Sequence, residues 1–207
     1  PPERDINWSL SGINGAWKFT QKFWRTVCNS QNIFKIKLKN KPIEFDKKSI
    51  QFRKKIHKYL KQITESIEGF QMNVAVAKIH ELTNVINIFT PDNEIQNWSK
   101  KEALLILLRV SEPMMPHLVE ECWKSVGYKT SIIETQWPLY DINLIEENDV
   151  LIIIQINGKK KAEMKVVKNS TESEIYNAAL NIKNIKKIEK DIKKKIFVPN
   201  KILNIVI

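Results

Sequence analysis

Residues 150–167, VLIIIQINGKKKAEMKVV, set alternating apolar side chains on both sides of Asn157-Gly158. Asn-Gly between two such runs is the strongest short hairpin signal, because a two-residue turn of the favoured hand needs positive φ at both central positions. A second pair of apolar runs, within KKKIFVPNKILNIVI at 193–207, is broken by Pro199-Asn200. Between the hairpins, Thr171 and Glu174 stand at capping-box spacing before a helical stretch reaching about Ile182, and Lys183 to Lys190 adds another turn or two. The prediction is a small ββααββ unit with its helices on one face of the sheet, the economical way to bury its Val and Ile residues.

The 207 residues suffice for one good core or two modest ones, and the change of pattern near residue 145 favours two. The longest apolar run, Leu151 to Ile156, is interrupted by Gln155 and too short to span a bilayer, and no signal-peptide pattern opens the chain. Starting at Pro rather than Met suggests an excised piece. Cys28 and Cys122 lack Cys-x-x-Cys spacing, so neither a zinc site nor a disulfide framework is indicated, although pairing of the two stays open; a reducing cytoplasm fits. The net charge of +11 must first be discounted: 30 of the 34 basic residues are Lys, a bias that AT-rich coding produces irrespective of function. Its distribution says more. Residues 150–207 hold 13 Lys against 5 acids, so +8 of the +11 sits there, a field that attracts phosphate backbones.

Upstream, the periodicity is helical. Ser11–Asn29 carries Ala16, Phe19, Phe23 and Val27 on one face and Lys18, Lys22 and Arg25 on another, with Trp17 and Trp24 beside the basic stripe. The tryptophans are expected to pack on neighbouring helices, Trp17 above all; the alternative is an aromatic and cationic surface for RNA. Lys47–Ile67 turns Phe52, Ile56, Leu60, Ile63 and Ile67 inward and crowds Lys54, Lys55, Lys58 and Lys61 on its solvated side. Phe70–Phe89 buries Met72, Ala75, Ile79, Leu82 and Ile86, a fourth helix spans about Ile95–Val110, and a fifth opens at Pro116 and stops at Gly127. The result is a mainly α chain: a helical bundle over 1–140 including the extended Trp137-Pro138-Leu139-Tyr140, an acidic connector over 141–149, and the α/β unit over 150–207.

The terminal strands carry a resemblance. IQINGK at 154–159 and VPNKILNIV at 198–206 resemble the strand-turn and closing strand pair of the small C-terminal domain of bacterial-type leucyl-tRNA synthetases, with Asn200 where that family usually has Gly. Asn is the next most tolerant residue of positive φ, so the turn is expected to survive. Pro1–Arg25, Phe70–Ile86, Leu104–Gly127 and Trp137-Pro138 follow in the family's order, the middle blocks being shared with valyl and isoleucyl enzymes.

The resemblance implies an anticodon-binding-type bundle followed by a tRNA-binding domain. The parent would be an ATP-dependent ligase forming leucyl-tRNA through leucyl-adenylate, with Mg²⁺ accompanying ATP. The His-Ile-Gly-His-like and Lys-Met-Ser-Lys-Ser-like signatures of the catalytic core occur nowhere here. Catalytic residues, metal ligands and a cofactor of its own are therefore not expected of this chain, and His57, His80 and His117 lack ligand spacing, His117 reading as a capping or packing residue. Leucine and ATP would be met by domains outside it; the partner is leucine tRNA, the state a monomer, the membrane uninvolved. The family places the first helix near tRNA, which makes Lys22 and Arg25 candidate phosphate contacts, and the terminal domain at the tRNA elbow, which makes Asn157, Lys159, Lys160 and Lys161 at the first turn and Asn200 and Lys201 at the second the candidates there. The plainer reading stands beside it: Asn157 is demanded by the turn, and hairpin-tip lysines keep sheet edges soluble. A free-standing RNA-binding protein, or a protein-interaction bundle whose charge is only coding bias, are the competing functions.

Overall fold

The computed structural model describes residues 9–35, 40–145, 149–182 and 192–207. The start of the first resemblance block and the helical turns expected over 183–190 lie outside these residues. The chain divides into two compact units, 1–145 and 146–207.

The first unit is a bundle of α1 (Leu10–Cys28), α2 (Gln31–Phe34), α3 (Lys47–Glu68), α4 (Met72–Ile88), α5 (Glu94–Ser111) and α6 (Pro116–Ser125), followed by a 3₁₀ turn at Ile132–Glu134 and the short α7 (Ile142–Ile145). Side-chain caps that the periodicity did not mark open two of these helices. Asp46 caps α3 by accepting from the Ser49 N–H at 2.8 Å, and Asn93 caps α5 by accepting from Gln96 N–H at 2.9 Å. The two caps are tied, because Gln96 also donates to Asp46 Oδ2 at 3.3 Å. The Ser49 backbone bond, more than the amides of Asn93 and Gln96, holds the Asp46 carboxyl below its ordinary value.

Helix α6 ends in a Schellman motif: Gly127 takes φ +101° and donates to Lys124 O at 3.0 Å, while Tyr128 N–H reaches Trp123 O at 3.3 Å. Helix α3 ends the same way one residue late. Gly69 keeps φ −85°, and it is Phe70 that takes the left-handed conformation at φ +55°, its side chain 77% exposed.

The core comprises Phe23 and Val27 of α1, Phe52, Ile56, Leu60 and Ile63 of α3, Ile79, Leu82 and Ile86 of α4, Leu104, Leu107 and Leu108 of α5, and Trp123 of α6. Each such side chain contributes about 1.5–3 kcal/mol of burial. The inward faces expected of α3 and α4 are the ones observed, with Ile67 and Met72 only partly covered. On α1 the expectation needs correcting. Ala16 is exposed, Thr26 is buried in its place on the packed stripe, and Trp17, expected against a neighbouring helix, is 62% exposed. The extended segment after α6 docks through Trp137 Nε1–H donating to Thr64 Oγ1 at 3.0 Å and Asp141 N–H donating to His57 Nδ1 at 3.0 Å. Of the stretch expected as a connector, α7 packs on α3, and Asp149 already opens the next strand.

The second unit is a four-stranded sheet of β1 (Asp149–Ile156), β2 (Lys159–Val167), β3 (Lys194–Val198) and β4 (Ile202–Val206), with α8 (Glu172–Leu180) between the hairpins. The order is β2-β1-β4-β3, antiparallel except for the central parallel pair β1–β4. Ile152 and Ile154 of β1 and Leu203 and Ile205 of β4 meet Ile175 and Ala179 of α8 in a second core. The capping box forms as expected: Thr171 Oγ1 accepts from Glu174 N–H at 3.3 Å, and Glu174 accepts from Thr171 N–H at 2.8 Å, which holds its carboxyl below the usual range.

Candidate nucleic-acid interface

Helix α1 crosses α4 and α6, and the crossing creates a concavity on each side of it. One, of about 340 Å³, is lined by Lys22, Arg25, Thr26, Asn29, Ser30, Asn87 and Lys100. Lys22 Nζ donates to Asn84 Oδ1, Arg25 Nε donates to Gln21 O at 3.2 Å, and Lys100 Nζ donates to Phe89 O at 2.8 Å. Thr26 and Asn87 hydrogen-bond each other on the wall. Burial lowers the Lys100 ammonium below its ordinary value. Close by, His80 stacks on Phe19 at 3.5 Å, and burial, then the Lys22 charge, lowers its imidazole. The two cations singled out by sequence thus share a basic hollow with a third. No sequence signal marks Lys100, since only the packing of α1 near the start of α5 makes them neighbours.

The other concavity, about 410 Å³, is an apolar groove lined by Trp17, Thr20, Gln21, Trp24, Arg25 and Leu118. Arg25 belongs to both, so an aromatic trough and a cationic hollow adjoin along one helix. Stacking platforms beside backbone-neutralising charge are what single-stranded or splayed nucleic acid uses.

In the second unit, Asn157 and Gly158 take φ +48° and +76°, the turn that their sequence dictates, and Asn200 takes φ +61° after Pro199. Both asparagine side chains are already engaged. Asn157 Oδ1 accepts from Ile207 N–H at 3.1 Å; Asn200 Oδ1 accepts from Asn169 N–H at 2.8 Å, and its amide donates to Asn169 Oδ1 at 2.9 Å.

The strand order separates the two turns. Because β4 runs parallel to β1, the Asn157 turn lies at one end of the strands and the Asn200–Lys201 turn at the other. Lys159 pairs with Ile156 and Lys160 with Gln155, and a bulge leaves Lys161 without a partner in the register. Lys160 is ion-paired with Glu163, whereas Lys159, Lys161 and Lys201 are exposed. The structure therefore makes two separate basic edges rather than one patch.

Two of the three histidines, His57 and His80, have structural surroundings. His57 is 4% exposed; its Nε2 stands 3.5 Å from Glu102 Oε1, and Arg53 grips the same carboxylate through two bonds of 2.6 and 2.9 Å. The Arg53 guanidinium lies 4.1 Å from the Phe45 ring centroid, with Trp98 also beside it. Burial acts to raise the Glu102 carboxyl, but the close approach of His57 and the two bonds from Arg53 prevail and hold it below its ordinary value. His117, expected as a capping or packing residue, is instead exposed in the first turn of α6, whose N-cap position is Met115 and has no side-chain cap bond. Among the described residues no group of three or more His, Cys, Asp or Glu is placed to hold a metal ion, and no helix is long and apolar enough to cross a membrane. Cys28 and Cys122 are free thiols, with Cys122 pushed up to about 12, chiefly by burial.

Residues 50–176 match the family model described as the anticodon-binding domain of tRNA ligase. The chain is similar over its whole length to a leucine–tRNA ligase of Parvibaculum lavamentivorans, at 37% identity, and to one of Azorhizobium caulinodans, at 36%; it spans about 24% and 25% of those proteins. Its fold is similar to part of a LeuRS in a ternary complex with tRNA and LeuAMS from Agrobacterium radiobacter K84, with a TM-score of 0.70 at 23% identity, over 97% of this chain and 26% of that one.

Proposed function

The chain belongs to the anticodon-binding domain family of tRNA ligases, and on that premise we propose that it is the tRNA-binding C-terminal region of a leucine–tRNA ligase. The observation that carries the reading is the similarity of the entire chain, terminal α/β unit included, to leucine–tRNA ligases at 36–37% identity. The role is positioning. Binding energy gathered from remote parts of a large substrate orients its reacting end, and a tRNA offers such contacts far from the chemistry.

In this reading Lys22 and Arg25 neutralise backbone phosphates from the bundle. Lys159, Lys160, Lys161 and Lys201 do so from the two ends of the terminal sheet, toward the tRNA elbow. Asn157 and Asn200 first of all hold the turns that present those lysines. Leucine and ATP with Mg²⁺ would be bound, and mischarged tRNA edited, by parts of the parent protein outside this chain. The protein would act as a cytoplasmic monomer.

The test is binding of the 207-residue chain to leucine tRNA, a non-cognate tRNA and an elbow-disrupted leucine tRNA across a salt series. Preference for the intact elbow is expected, together with a parent enzyme that, cut back to remove residues 149–207, loses charging far more than leucine activation. Indiscriminate binding that disappears at moderate salt, or equal loss of both steps, would refute the positioning role.

A further inference from the structure

We infer that the hollow between α1, α4 and α5 is an oxyanion subsite that takes one internucleotide phosphate of RNA, with Lys100 as a ligand beside Lys22 and Arg25. The inference rests on the reading of this chain as a tRNA-binding region, and it adds a residue and a ligand atom to it.

Charge pairing across the molecule leads there. Lys48, Arg53, Lys61, Lys78, Lys124 and Lys160 each stand within 4.0 Å of a carboxylate. Among the described residues three cations line this hollow and no carboxylate does; the other lining groups are the hydroxyls of Thr26 and Ser30 and the amides of Asn29 and Asn87. Thr26 and Ser30 spend their hydroxyl protons on Lys22 O at 2.7 Å and Thr26 O at 2.8 Å, so the donors the lining offers are those of the three cations and the amides.

Lys100 makes the case stronger than a surface cluster would. Its ammonium is half-buried, among the described residues its one hydrogen bond is to the neutral Phe89 carbonyl at 2.8 Å, and two of its three donors remain to be used. Arg25 spends Nε on Gln21 O, which leaves the outer edge of its guanidinium free to present two parallel N–H groups. A desolvated ammonium, a fork and flanking amide donors match a tetrahedral anion with several exposed oxygens. The volume of about 340 Å³ gives room for a phosphate and its attached sugar. Across Arg25, the Trp17–Trp24 groove offers the same strand an apolar surface for a base or ribose.

The experiment uses the whole chain, with Lys100→Gln, Lys100→Arg, Arg25→Gln and, as a control on the exposed surface, Lys129→Gln. Leucine tRNA affinity is measured over a salt series, and inorganic phosphate is titrated separately while the amide signals of Thr26 and Asn87 are followed. Lys100→Gln and Arg25→Gln are expected each to lower the salt slope by about one unit and to weaken binding by roughly eightfold at 0.1 M salt, the loss expected for one phosphate contact.

Lys100→Arg should restore the slope, Lys129→Gln should leave it alone, and the phosphate-induced shifts should vanish in Lys100→Gln. Arg25→Gln keeps the Lys100–Phe89 bond, so it reports on the subsite even if Lys100→Gln loosens the helix ends. Wild-type tRNA binding with unchanged slopes in both Gln variants would overturn the subsite and leave the proposed function intact. Failure of the wild-type chain to bind any tRNA, with the phosphate shifts still dependent on Lys100, would overturn the RNA assignment and sustain the oxyanion site.

Discussion

Replacing Asn200 separates what its backbone does from what its side chain does. At φ +61° an L-residue without Asn's local tolerance costs about 1 kcal/mol, and the two side-chain bonds to Asn169, both near solvent, contribute about 0.5 kcal/mol each. Asn200→Ala loses both contributions, about 2 kcal/mol; Asn200→Gly loses only the bonds, about 1 kcal/mol. Tryptophan fluorescence cannot read this. All six tryptophans belong to the first unit, so a signal from them reports on the bundle.

Amide exchange in the terminal sheet can. Ile153 N–H, bonded to Lys201 O, and Asn157 N–H, bonded to Ile205 O, span the β1–β4 pair. Their exchange should accelerate about 30-fold in the Ala variant and about fivefold in the Gly variant. The Gly variant should also keep its tRNA salt slope, since the side chain it removes is occupied by Asn169. Equal acceleration in the two variants would refute the left-handed backbone cost, and a slope lost with Gly would mean that Asn200 touches RNA as well.

Two further outcomes concern the bundle. Phe70→Gly relieves a left-handed phenylalanine with an exposed ring and should raise the melting temperature of the bundle by roughly 2–4 °C, the equivalent of about 1 kcal/mol, a fall in stability being the contrary result. Arg53→Met should cost about 3–5 kcal/mol in denaturant unfolding by stranding the Glu102 carboxylate, while Arg53→Met with Glu102→Met recovers most of it; a double variant as weak as the single one would refute the argument. The same pair fixes a pH dependence. The Glu102 carboxyl is held below its unfolded value, so its contribution is full above about pH 4.3 and lost as the pH falls through the folded value, and the double variant should show a flatter acid limb.

The features legible in the sequence were those closed within a few residues. The Asn157-Gly158 turn, the Thr171–Glu174 box and the inward faces of α3 and α4 each depend on local spacing, and each forms. What escaped depends on long-range placement. Periodicity says that Trp17 lies beside a basic stripe but not that its ring stays exposed among the described residues. Lys22 and Lys100 are separated by most of the bundle in sequence and meet only through packing. Likewise, both hairpin tips could be read, but their separation follows from the parallel β1–β4 pairing, which no turn residue encodes.

That pairing also bears on incomplete chains. Strand β1 is made early in the terminal unit, yet its second neighbour is β4, whose first residue, Ile202, comes 49 positions after its partner Ile153. Any translation product or proteolytic fragment cut between Val167 and Ile202 carries the β1–β2 hairpin with one edge of β1 unpaired. On that edge lies Leu151–Ile154, four consecutive branched aliphatic residues without a charge. Such an edge is a template for intermolecular strand pairing, so truncated forms should aggregate where the chain carrying β4 does not.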